Sequence, residues 1–163
     1  EKPPFLDKTF DLITIAQALH WFNLENFYVE VKRVAKPSSF IAAWCYSLGA
    51  INTDIDPVIR KLYLDILGDQ YWPKERRYID EHYHTIIFPF KKIPAPEFTI
   101  KKKFDFFSLV GYLNTWSALK EYQKQRHINP IDLIYEQLLL AWGNPKKKRL
   151  MKRQVHLLVG AID

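Results

Sequence analysis

Two short apolar runs, residues 10–16 (Phe-Asp-Leu-Ile-Thr-Ile-Ala) and 40–46 (Phe-Ile-Ala-Ala-Trp-Cys-Tyr), flank a single stretch with helical spacing. Both runs are rich in β-formers and nearly continuous, the pattern of strands covered on both faces. Between them Asn23 is placed to cap a helix through Glu25, Phe27, Val31 and Val34, with Lys32, Arg33 and Lys36 toward the end where the dipole favours cations. Pro37-Ser38-Ser39 stops that helix. Two strands joined by one helix are parallel and cross over with a right hand, which confines the chain to the α/β folds.

The rest of the chain extends this order. Asp54 and Asp56 precede Pro57, which suits the first turn of a helix through Ile59, Leu62, Tyr63, Ile66 and Leu67 that ends at Gly68. From residue 69 to 96 periodicity is lost and aromatic residues accumulate, with Arg76 and Arg77 among them, so this segment is a lid candidate. Residues 98–107 alternate well enough for a strand with one solvated face. Ser108 is placed to cap a helix over 109–122, Asn129-Pro130 opens another, and residues 154–162 read as a closing strand. With 163 residues and 48% hydrophobic content, the expectation is one domain over 1–163.

Several function classes recede at this level. No apolar run approaches the roughly 18 residues that span a bilayer, and no basic segment followed by an apolar one reads as a signal peptide. A cytoplasmic chain without a membrane partner is expected. The single cysteine, Cys45, lies in an apolar stretch and reads as a buried, inert thiol, so neither an internal disulfide nor a metal site is expected. The net charge of +6 gathers in Lys101-Lys102-Lys103 and in Lys146-Lys147-Lys148-Arg149, followed by Lys152 and Arg153. Neither cluster interleaves aromatics with the charges as a single-strand stacking platform does, so solvated surface charge is preferred over binding of phosphate or nucleic acid.

The local words go further than the order of elements. Phe10-Asp11-Leu12-Ile13-Thr14-Ile15-Ala16-Gln17-Ala18-Leu19-His20-Trp21-Phe22 resembles the fourth strand and following loop of class I S-adenosylmethionine-dependent methyltransferases, in the type 11 group and its trans-aconitate methyltransferase-like branch. Arg33-Val34-Ala35-Lys36-Pro37-Ser38-Ser39 is similar to the Arg-Val-Leu-Lys-Pro-Gly-Gly of that branch. Serines replace both glycines, which is tolerable only if the turn needs no positive φ. Residues 71–83 and 112–118 resemble the branch's substrate-side segments. The resemblance implies the C-terminal half of a Rossmann-like class I methyltransferase sheet, strands four to seven, with helical substrate-side segments over 53–95 and 108–145. The glycine-rich cofactor turn has no counterpart: none of the five glycines stands in a G-x-G arrangement.

The implied cofactor is S-adenosylmethionine, with S-adenosylhomocysteine as product. By resemblance Ala16 and Gln17 lie against its methionine end, and His20 and Trp21 face its junction with the acceptor. His20 is the candidate catalytic base, weighed against a structural or orienting histidine that a carboxylate acceptor would suffice with. Trp44, Tyr46 and Trp116 are candidates to wall the acceptor pocket, and Arg76 and Arg77 to hold an acidic acceptor. Each of these aromatic residues can equally be core, and each arginine a solvated charge. The leading function is methyl transfer to a small-molecule acceptor by the complete enzyme, with this fragment inactive alone. A non-catalytic binding or assembly remnant stands second and a basic nucleic-acid-binding module third. The exposed edge of strand 10–16 is expected to favour pairing with a second copy.

Overall fold

A computed structural model describes residues 3–163 and resolves five strands and seven α-helices among them. β1 (Phe10–Ala16) runs parallel to β2 (Ala35–Tyr46), and α1 (Leu24–Val34) makes the crossover. The Asn23 side chain accepts the Asn26 N–H at 3.1 Å, as the capping position requires. Tyr28, Val31 and Val34 bury one helix face. Arg33 closes the last turn with Glu30 and Asp7, each at 2.5 Å.

β5 (Arg149–Ile162) pairs antiparallel with β2 and with β3 (Lys91–Ile93), giving the order β1-β2-β5-β3. β4 (Phe98–Phe104) also pairs with β5. At Gly160 the packing against β5 is so close that a Cβ would lie 2.6 Å from Phe90 Cβ and 2.8 Å from Phe88 Cε1. Only glycine fits there.

The chain divides into two compact units. The first takes residues 3–47, Glu75–Thr99 and Gln154–Asp163, and so includes α4 (Arg76–Asp80). Its core gathers Ile15, Leu19, Val31, Ile41 and Cys45 with Tyr83, Phe88 and Phe90. The second takes Leu48–Lys74 and Ile100–Arg153 and is mainly helical. It contains α2 (Ile55–Arg60), whose axis continues through a π-helical turn over Lys61–Leu67, α3 (Gly68–Tyr71), α5 (Phe106–Leu113), α6 (Ser117–Arg126) and α7 (Tyr135–Trp142). Trp142, Phe106, Leu109, Ile59 and Leu62 anchor its core.

Several local expectations need correction. β1 lies at an edge of the sheet, as expected, but it is not covered on both faces: Leu12 is 56% exposed. β2 begins at Ala35, directly after α1, and β4 ends at Phe104 with both faces largely exposed. The cap of α5 is Asp105, whose carboxylate accepts the Ser108 N–H at 2.8 Å, and the helix expected over 109–122 breaks at residues 114–116. Asn114 turns its side-chain amide onto Val110 O at 2.9 Å and so competes with the backbone ladder. β5 starts five residues before the expected closing strand, at Arg149.

The Pro37-Ser38-Ser39 turn does need a positive φ. Ser38 sits at 61°, where the β1–β2 register shifts between Phe10 and Leu12. A side chain in the left-handed region costs about 1–2 kcal/mol, and glycine returns part of that gain as unfolded-state entropy. Ser38→Gly is therefore expected to raise the unfolding free energy by about 0.5–1 kcal/mol. Urea denaturation checks it, and an unchanged midpoint would show that Ser38 bears no strain.

Candidate functional site

The carboxyl ends of two adjacent parallel strands lie together, and this is where α/β sheets build their sites. Here they are Ala16 of β1 and Trp44 of β2, which are register partners. The chain leaves β1 through Gln17, held at φ 53°, a left-handed conformation unusual for a side-chain-bearing residue. Two hydrogen bonds hold it there: Gln17 N–H donates to Trp44 O at 2.8 Å, and Gln17 Oε1 accepts from Tyr46 N–H at 2.9 Å. Gln17 is thus a strap across both strand ends, with its carbonyl committed to the backbone and its Nε2 end the part left for a ligand.

A short 3₁₀ turn, Leu19–Trp21, follows. It buries Leu19 and His20 and leaves Trp21 53% exposed. The His20 ring touches Trp21, centroids 4.7 Å apart, and its Nδ1 lies 2.9 Å from Tyr83 Oη. Tyr83 Oη and His20 Nδ1 thus share one hydrogen bond that fixes the orientation of the imidazole. Burial, reinforced by the positive charge of Arg76 and opposed by Glu75, lowers the His20 pKa from its ordinary 6.5 to about 4. At neutral pH this histidine is an uncharged hydrogen-bonding group and a weak base.

Arg76 lies in ion-pair range of Asp80, 3.6 Å, and its charge is felt by both His20 and Cys45. Arg77 is exposed and stacks its guanidinium 4.9 Å over Tyr78, so of the two arginines Arg76 is the one whose charge reaches His20 and Cys45. Cys45 is fully buried, and burial pushes its thiol up to about 12, the inert group expected. Among the described residues no group of side chains is arranged to hold a metal.

The candidate residues fall into two sets. Ala16, Gln17, His20, Trp21, Trp44, Tyr46, Arg76 and Arg77 all belong to the first unit. Trp116 belongs to the second, in an aromatic cluster where it meets Trp72 at 5.7 Å and Tyr63 at 5.8 Å. Sequence reasoning missed Tyr83 as the partner that fixes His20. The only local signal was its place in the aromatic-rich segment 69–96, and 63 positions separate the two residues.

The chain is similar to proteins described as methyltransferases. A family profile described as "Methyltransferase domain" matches residues 1–43. A curated protein of Dictyostelium discoideum named "Putative methyltransferase" is 36% identical over 144 residues, 87% of this chain and 55% of the relative. The chain therefore spans little more than half the length of the curated relative it matches. A solved structure, "a Putative Type II Methyltransferase from Anaeromyxobacter dehalogenans", is 32% identical with a TM-score of 0.87, over 97% of this chain and 67% of that one. The α/β arrangement is accordingly the Rossmann-like one expected from the sequence. More remote is a phosphoethanolamine N-methyltransferase of Haemonchus contortus, solved with S-adenosyl-L-methionine, at 14% identity and a TM-score of 0.28, over 93% of this chain and 34% of that one. No helix among the described residues is long and apolar enough to cross a membrane.

Proposed function

Because the chain belongs to the methyltransferase family, we propose that the complete protein transfers a methyl group from S-adenosylmethionine to a small-molecule acceptor. In this reading the chain supplies the C-terminal half of the enzyme, in the trans-aconitate methyltransferase-like branch. The observation that carries the reading is the Gln17 strap, which fixes the Ala16-to-Trp21 turn over the carboxyl ends of β1 and β2.

These residues fit one end of the cofactor. Trp21 offers an exposed aromatic face suited to a sulfonium charge, and Ala16 is open at the strand end. When bound, the cofactor supplies an activated methyl on sulfur, so the protein's task is to align the acceptor and exclude water. His20, with Nδ1 held by Tyr83 and its pKa lowered by burial, orients the acceptor rather than taking a proton from it. That suits an acceptor with no proton to lose, such as a carboxylate, for which Arg76 is the complementary charge. The glycine turn that would hold the rest of the cofactor is not among the chain's glycines, so the 163-residue chain is inactive alone. A binding or assembly remnant is the second reading, supported by the marginal place of β1 and its exposed Leu12.

Calorimetric titration with S-adenosylhomocysteine tests both. The complete protein is expected to bind it in the micromolar range, and Trp21→Ala to weaken binding about tenfold, as loss of a cation–π face predicts. The 163-residue chain is expected to give little heat. No binding by the complete protein would overturn the methyltransferase reading in favour of the remnant.

A further inference from the structure

The second unit carries a basic cleft that the proposed methyl transfer does not use. It has a volume of about 570 Å³, within the range of small-molecule sites, and four cations line it: Lys147, Lys148, Arg149 and Lys152. The one carboxylate in its wall is Asp56, and that group is turned into the chain: Oδ1 accepts from Ile51 N–H at 2.7 Å and Asn52 N–H at 3.3 Å. None of the four cations makes a salt bridge among the described residues. Lys148 influences the carboxylate of Asp105 only at longer range.

A loose basic loop would simply be solvated, but this one is fastened to the core. Trp142, fully buried, donates its indole N–H to Lys147 O at 3.1 Å. Its carbonyl accepts from Arg149 Nε at 3.2 Å and Nη2 at 2.6 Å, and the guanidinium lies 5.5 Å over the indole. Asn144 Oδ1 accepts from Lys146 N–H at 3.0 Å, and Pro145 O from Phe106 N–H at 3.0 Å. Ala50 and Lys152 exchange two backbone hydrogen bonds of 2.9 Å across the cleft floor. The backbone that carries these like charges is thus fastened around one concavity, with the exposed Thr53 among its lining residues.

We propose that this cleft binds a small molecule through a phosphate or pyrophosphate group. Three lysines serve as point charges and the rest of the Arg149 fork as a directed donor, a set matched to several phosphate oxygens at once. The concavity favours a compact ligand over the extended track that a nucleic-acid strand requires. The assignment stands independently of the methyl-transfer reading.

Calorimetry with inorganic pyrophosphate at physiological salt is the test. Lys147 and Lys148 have exposed side chains, so the K147A/K148A variant keeps the fold, which circular dichroism verifies. The control K120A/K124A removes the same charge from exposed positions on α6, outside the cleft. The expected result is submillimolar binding, weakened about tenfold in K147A/K148A and within about twofold of the parent in the control. Absence of heat overturns the proposal, as does an equal loss in both variants, which would reduce the effect to net charge. Citrate binding as tightly as pyrophosphate would overturn the phosphate assignment. A ten-nucleotide single strand binding more tightly than pyrophosphate, with the same variant sensitivity, would overturn it in favour of a nucleic-acid surface.

Discussion

Trp142→Ala is expected to lower the unfolding free energy by about 4 kcal/mol, the cost of removing a fully buried tryptophan and leaving a cavity. The indole packs at 6.2 Å against Phe106, itself fully buried, so the vacated space is walled by groups that cannot collapse freely into it. Two further losses follow. Lys147 O is left without its indole donor, and Arg149 loses the ring beneath its guanidinium while keeping the bonds to the backbone carbonyl. Against domain stabilities of about 5–15 kcal/mol, that loss removes from about a quarter to most of the total. Trp142→Phe separates the contributions: it keeps most of the volume, loses the N–H, and is expected to cost about 1–2 kcal/mol. Urea denaturation of the three proteins checks both values, and a cost below about 1.5 kcal/mol for the alanine variant would mean that the second unit repacks around the gap.

Acidification should weaken the fold through His20. Its folded pKa, about 4, lies below the ordinary 6.5 that it regains on unfolding, so the folded state prefers the neutral ring. Above pH 6.5 neither state is protonated and the group contributes no pH dependence. As the pH falls from 6.5 toward 4 the unfolded chain takes up the proton first, and stability declines by about 3 kcal/mol in total before levelling off. His156 is also lowered, by burial and by the charges of His82 and His84, and it acts with the same sign. His20→Asn isolates the His20 share, because the amide can still hydrogen-bond Tyr83 and carries no titrating proton. Unfolding free energies at pH 7 and pH 4.5 should differ by about 2–3 kcal/mol more in the parent than in the variant. Equal differences would place the pH sensitivity elsewhere.

The parts of the fold legible in the sequence are those fixed by neighbours along the chain. The continuous apolar run at 10–16, the Asn23 cap and the run at 40–46 each state their own conformation, and together they dictate a parallel crossover. What surrounds them is not written locally. The apolar spelling of residues 10–16 states a strand but not what packs on its faces, so Leu12 is exposed where cover was expected. Asp105 and Ser108 are both capping types three positions apart, and spacing alone does not say that the carboxylate is the acceptor and the serine the donor. In the site, Gln17 and His20 stood out by type, yet their roles come from Tyr46 and Tyr83, far along the chain. The lysine run at 146–148 was visible at once. That it faces residues 50–56 across a cleft depends on the Trp142 clasp, which no local pattern announces.

The strand order also sets a timetable for biosynthesis. Of the five described strands β5 is made last, yet it lies between β2 and β3 in the sheet. A ribosome adding about 5–20 residues per second needs roughly ten seconds to travel from the end of β2 to the residues that pair with it. Throughout that interval the edge of β2 that pairs with β5 stays open, and β3 has no strand to join. An open strand edge of this kind invites pairing with another chain, and it is covered only when β5 arrives and Gly160 packs against Phe88 and Phe90.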